Sequence, residues 1–184
     1  DDMEAKFKSG RVKLLLLCSP HNPVGRVWTE EELRRAGQLC LQYGVLVVSD
    51  EIHSDFVYPG FRHRVFADLS PAFADITVTC TAPSKTFNLA GLQTSNIFIS
   101  NEELRQSFRG EIAAAGYSQL NQLGLVACQA AYEAGGEWLG QLREYLCGNL
   151  AYIREYLRER IPEVKLIEPE GTYLIWLDFR GLGL

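Results

Sequence analysis

The chain has 184 residues, 47% of them hydrophobic, with a formal net charge of −5 and an isoelectric point near 5.3. That length holds one domain with a real core, or one domain and part of a second. The acidic balance leaves no basic footprint for nucleic acid or an anionic membrane, and no apolar run approaches the roughly 20 residues that span a bilayer.

In chain order, Asp1 to Gly10 is polar and reads as a helix end or loop. Leu14-Leu15-Leu16-Leu17-Cys18 is a continuous apolar run, predicted as a strand over 13–18. It ends in Ser19-Pro20-His21-Asn22-Pro23-Val24-Gly25, a loop stiffened by two prolines with Gly25 at a sharp turn. Thr29-Glu30-Glu31-Glu32 has the form of a capping box. It predicts a helix to about Tyr43, with Leu33, Ala36, Leu39, Cys40 and Tyr43 on one face and Gly44 just past its end. The three glutamates complement the helix dipole at the surface.

Val45 to Ser49 predicts a second strand, followed by Asp50-Glu51-Ile52-His53. Phe56 to Asp75 reads mostly as loop, broken at Pro59-Gly60 and Pro71. Ile76 to Cys80 predicts a third strand and Ser95 to Ser100 a fourth. Short apolar runs without alternation suit strands covered on both faces. Helices follow over 102–115, 121–133 and 137–160. On the last, Trp138, Leu142, Tyr145, Leu146, Leu150, Ile153 and Leu157 recur at helical spacing and read as core. Val164 to Ile167 and Thr172 to Phe179 predict two more strands. The five cysteines, Cys18, Cys40, Cys80, Cys128 and Cys147, are dispersed and form no CxxC pair; they read as reduced thiols of a cytoplasmic protein, three of them on buried faces.

The first three strands would deliver Asn22, Asp50 and Lys85 to one rim, because binding crevices of open α/β sheets lie beyond the carboxyl ends of the strands. Lys85 sits just past the third strand, among small residues and Pro83. Each residue has an ordinary reading: an Asn-Pro turn, a strand-end Asp, a turn lysine. Together, an amide, a carboxylate and an amine on one rim make a polar site floored by apolar strands. A metal site from His21, Asp50, His53, Asp55 and His63 matches no compact ligand spacing, and no metal is expected.

Asn22-Pro-x-Gly25, Ser49-Asp-Glu-Ile-His53 and Ala82-Pro-Ser-Lys-Thr-Phe-Asn-Leu-Ala-Gly-Leu92 resemble, in order and spacing, the fold-type-I pyridoxal-phosphate enzymes of the class I/II aminotransferase superfamily. His53, where aminotransferases carry Tyr, and the Lys85-Thr-Phe-Asn-Leu-Ala-Gly91 run look most like the MalY/PatB-like C–S β-lyase (cystathionine β-lyase) branch. The resemblance implies an α/β large-domain sheet with helices on both faces and the start of a small α+β domain. It divides the chain at 1–135 (large domain), 136–160 (linking helix) and 161–184 (a truncated small domain), so the chain reads as a fragment.

The cofactor implied is pyridoxal 5′-phosphate. Lys85 is then the Schiff-base and catalytic lysine, Asp50 the partner of the pyridine nitrogen and Asn22 that of the ring 3-oxygen. His53 lies near that oxygen, and Thr81 and Ser84 are phosphate-binding residues. Ala82 and Gln93 depart from the pattern, standing where many relatives have Ser and a phosphate-binding Arg. The implied activity is C–S β-lysis of an amino-acid substrate by a homodimer. Transamination needs the same Lys, Asp and Asn and stays open, as does a noncatalytic regulatory role.

Overall fold

The protein is described by a computed structural model covering residues 2–117 and 119–183. Asp1 and Leu184, the outer limits of the first and last predicted segments, lie outside the described residues. Helix α1 (Asp2–Lys8) precedes β1 (Leu14–Cys18), α2 (Glu30–Tyr43) and β2 (Leu46–Asp50). Then come α3 (Pro71–Asp75), β3 (Thr77–Thr81), the single-turn α4 (Pro83–Thr86) and β4 (Asn96–Ile99). Helices α5 (Glu102–Ala114), α6 (Gln122–Ala134) and α7 (Gly136–Arg160) lead to β5 (Lys165–Ile167) and β6 (Trp176–Asp178).

Strands β1, β2 and β3 run parallel in that order, and β4 closes the row antiparallel to β3. Cys18, Asp50 and Cys80 are register partners, so the three parallel strands end level. The predicted capping box holds α2: Glu32 N–H donates to Thr29 Oγ1, and Glu32 Oε2 accepts from Thr29 N–H at 2.8 Å. Gly44 ends the helix at φ 63°, a left-handed conformation that glycine adopts without steric cost.

Three expectations need correction. The 56–75 segment is more than loop: Ser70 caps α3, and Phe66 and Phe73 stack with ring centroids 5.3 Å apart inside the core. Gly37 of α2 meets them, since a Cβ there would lie 2.5 Å from Phe73 Cζ. Second, one face of the sheet is only partly covered among the described residues. Val47 is 0% exposed on the α2 side, whereas Leu16 is 73% exposed on the other. Third, the α7 stripe is core only at Leu150 and Leu157; Trp138 and Tyr145 are exposed. Periodicity reports an apolar side but not whether a neighbour covers it. Of the cysteines, only Cys40 is fully buried, and burial pushes its thiol up to about 11.

Strands β5 and β6 form a separate antiparallel pair. Strand β6 is shorter than predicted, and Thr172, at the predicted start, is left-handed at φ 66°. The segment before it is strapped onto the main sheet's rim. Gly25 O accepts from Glu170 N–H and Gly171 N–H, at 2.8 and 2.9 Å. Arg26 bridges Glu32 and Glu170. A Cβ on Gly171 would come within 2.7 Å of Phe56 O, so only glycine permits this approach.

Candidate active site

The level ends of β1, β2 and β3 set up the site. Asp50 is the last residue of β2, exposed, and its Oδ1 accepts from Ile52 N–H at 3.1 Å. Asn22 is exposed in the loop beyond β1. Its backbone faces the Cys18 thiol, which burial and the Asp50 charge push up while that backbone contact pulls it down. Thr81 ends β3, and Ser84 and Lys85 lie in α4, so Lys85 sits in a helical turn and not in an open loop. The Lys85 side chain is exposed, while Ala82, Pro83 and Thr86 around it are buried.

His53 is 2% exposed. Tyr173 and Phe56 surround its ring at centroid distances of 5.4 and 6.4 Å. Burial pulls its pKa down; the Asp50 carboxylate opposes that and the Lys85 ammonium adds to it. His53 therefore lies within electrostatic reach of both, which joins the β2 and β3 sides of the rim. Its Nδ1 is buried without a hydrogen-bond partner among the described residues. A second tie is Thr86 Oγ1, which donates to Asp55 Oδ2 at 2.7 Å and fixes the Lys85 turn to the His53 turn.

The structure thus gathers Asn22, Asp50, His53, Thr81, Ser84 and Lys85 at one end of the sheet. Sequence reasoning weighed Asp55 only as a metal ligand and did not single out Thr86, its partner in holding the turns, or Tyr173, which backs His53 from more than a hundred residues away. No local pattern marks such contacts. A cavity of about 510 Å³ opens elsewhere, between Phe56, Tyr58 and the Arg143–Cys147 side of α7; none of the six candidate residues lines it.

A mixed sheet with helices, carrying a lysine, an aspartate and an asparagine beyond its parallel strand ends, is the large-domain architecture of fold-type-I pyridoxal-phosphate enzymes. The chain belongs to the aminotransferase class I and II family, whose model matches residues 1–182. It is 48% identical over 184 residues to cystathionine β-lyase PatB of Bacillus subtilis (strain 168), covering 100% of this chain and 48% of that protein. It superposes on cystalysin from Treponema denticola, which contains a pyridoxal 5′-phosphate cofactor, with a TM-score of 0.95 and 41% identity. That match covers 100% of this chain and 46% of that one. It also superposes on the pyridoxal-phosphate-bound C–S lyase from Staphylococcus hominis, complexed with the inhibitor L-cycloserine. There the TM-score is 0.89 at 40% identity, over 97% of this chain and 44% of that one. The chain spans about half the length of these relatives.

The donor set fits the cofactor that the two structural relatives carry. An exposed amine suits an aldehyde, an exposed carboxylate a ring nitrogen, an exposed amide a phenolic oxygen, and hydroxyls a phosphate. The unpartnered Nδ1 of His53 adds a polar atom beside them.

Proposed function

We propose that the protein containing this chain is a pyridoxal-phosphate-dependent C–S β-lyase of the cystathionine β-lyase type, releasing a thiol, pyruvate and ammonia from an amino-acid substrate. The observation that carries the reading is the convergence of Lys85, Asp50 and Asn22 beyond three strands that end level. Sequence identity to a curated cystathionine β-lyase supports the choice of reaction. When bound, the cofactor supplies an electron sink for a carbanion at the substrate's α-carbon.

The chain's own residues do the rest. Lys85 Nζ would hold the cofactor by its aldehyde carbon and, once freed, would serve as the general base for the substrate α-proton. The Asp50 carboxylate would hold the ring nitrogen and favour its protonated form. The Asn22 amide donates to the ring 3-oxygen. His53, whose pKa burial pulls down, would lie near that oxygen. The Thr81 and Ser84 hydroxyls donate to the phosphate. Gln93 is uncharged, so this position supplies no guanidinium for the phosphate. Residues 1–135 act as part of the large domain, α7 as the link and the β5–β6 segment as the start of the small domain, in a cytoplasmic homodimer.

The test uses the full-length protein with pyridoxal phosphate and L-cystathionine. A visible absorption band that Lys85→Ala removes, together with pyruvate release, is the expected result. Lys85→Ala should lower turnover by at least about 10³-fold, as loss of a covalent and proton-transfer group does. A Lys85-dependent band with conversion to the pyridoxamine form and no pyruvate would replace lysis with transamination, which the family match also accommodates. No Lys85-dependent band would overturn the enzyme reading.

A further inference from the structure

Glu51 follows Asp50 directly and points to the opposite face of the sheet, where it is 2% exposed. Its carboxylate is fully engaged. Oε1 accepts from Ser49 Oγ at 2.9 Å and from Phe66 N–H at 3.1 Å. Oε2 lies 2.8 Å from Nε2 of His63, itself nearly buried. The tautomer with its proton on Nε2 donates to this carboxylate.

A buried acid–imidazole pair is not an economical route to stability, since well-packed apolar residues of similar volume often do as well. What this pair achieves is geometric. The backbone on either side of Asp50 is already tied within the sheet. Ser19 N–H donates to Asp50 O at 3.0 Å and Glu51 N–H donates to Cys80 O at 2.9 Å. Both bonds run along the sheet. The Glu51 side chain supplies the anchor out of its plane, through His63 and Phe66 to the stacked aromatic core. Asp50 itself is exposed and, among the described residues, is hydrogen-bonded through its carboxylate to the Ile52 amide, so its position depends on the peptide beneath it. Both carboxylates lie close to the β3 end, where the Cys80 thiol is pushed up by burial and then by Asp50 and Glu51.

We propose that Glu51 and His63 are positioning residues for Asp50: their buried pair fixes the last peptide of β2, so that the Asp50 carboxylate is presented at one place on the rim. The inference rests on the reading of Asp50 as the partner of the ring nitrogen. Displacing a reacting group by about 1 Å can cost on the order of 10²-fold in rate, so a loose β2 end lowers turnover without removing any group that touches substrate.

The experiment compares His63→Leu, which removes the donor, with His63→Gln, whose amide nitrogen replaces Nε2, and with Glu51→Gln, in the full-length holoenzyme. Hydrogen exchange of the Ile52 amide is followed in the same proteins without cofactor, with the Val47 amide as control. His63→Leu should speed Ile52 exchange about 10-fold or more relative to Val47 and lower kcat by roughly 10- to 100-fold with KM little changed. His63→Gln should restore both. If His63→Leu does not fold, Glu51→Gln set against His63→Gln carries the comparison, and the same divergence is expected. Wild-type exchange and kcat in both leucine and glutamine variants would overturn the proposal, as would equal loosening at Ile52 and Val47 that glutamine fails to rescue. Failure of the Asp50 reading has a separate signature: Asp50→Asn would leave kcat and the Lys85-dependent band unchanged whatever happens at His63.

Discussion

The two faces of the four-stranded sheet are built from the same strands and behave differently. On β2, Val47 and Ser49 point into the core with Leu33, Cys40, Phe66 and Phe73, and Glu51 continues their side. Leu46 and Asp50 point the other way, and Leu46 is 39% exposed, like Leu14 on β1 at 47%. On the packed face Val47, Ser49 and Glu51 are held by neighbours, so even a carboxylate there becomes an anchor. On the open face a carboxylate keeps lone pairs free to meet a ligand. Adjacent residues of one strand end therefore take opposite tasks, because successive side chains alternate across a pleated sheet.

The contrast can be broken at several points. The largest effect on stability is expected at Phe73→Ala, which empties the space beneath Phe66 and beside Gly37. It should cost about 3–5 kcal/mol, read from urea unfolding followed by circular dichroism. Gly37→Ala comes next. Its new methyl meets the Phe73 ring at a distance real Cβ atoms do not reach, and overpacking of this kind costs about 1–3 kcal/mol in the same assay. Thr29→Ala removes the capping box of α2 and should cost about 1 kcal/mol, with Thr29→Asp retaining most of the stability. The smallest effect belongs to the open face. Leu16→Ala in this chain should change stability by less than about 0.5 kcal/mol, since the side chain it truncates is already in water. A loss at Leu16 comparable to that at Phe73 would show that both faces are packed in solution.

Much of this architecture could be read in advance. The apolar runs ending at Cys18, Asp50 and Cys80 announced strands, and the Thr29–Glu32 box announced a helix start, because both signals are local. Asn22, Asp50 and Lys85 reach one rim for the reason their spacing suggested: parallel strands in register end at the same level. The α7 stripe misled at Trp138 and Tyr145, since helical periodicity marks an apolar side whether or not anything covers it. The 56–75 segment misled in the opposite sense. Its Pro and Gly breakers are real, yet Phe66 and Phe73 fold back into the core between them.

Sequence by itself therefore determined the parallel strand ends, the capped helix α2 and the identity of the polar groups on the rim, all of which follow from short-range pattern and chain chemistry. Only the tertiary structure decided which sheet face is packed, that Tyr173 backs His53, that Glu170 reaches Arg26, and that Glu51 is held by His63 and Phe66. These contacts join residues from 12 to 144 positions apart. Burial favours pairing of interior polar groups, and no local signal says where in the chain the partner lies.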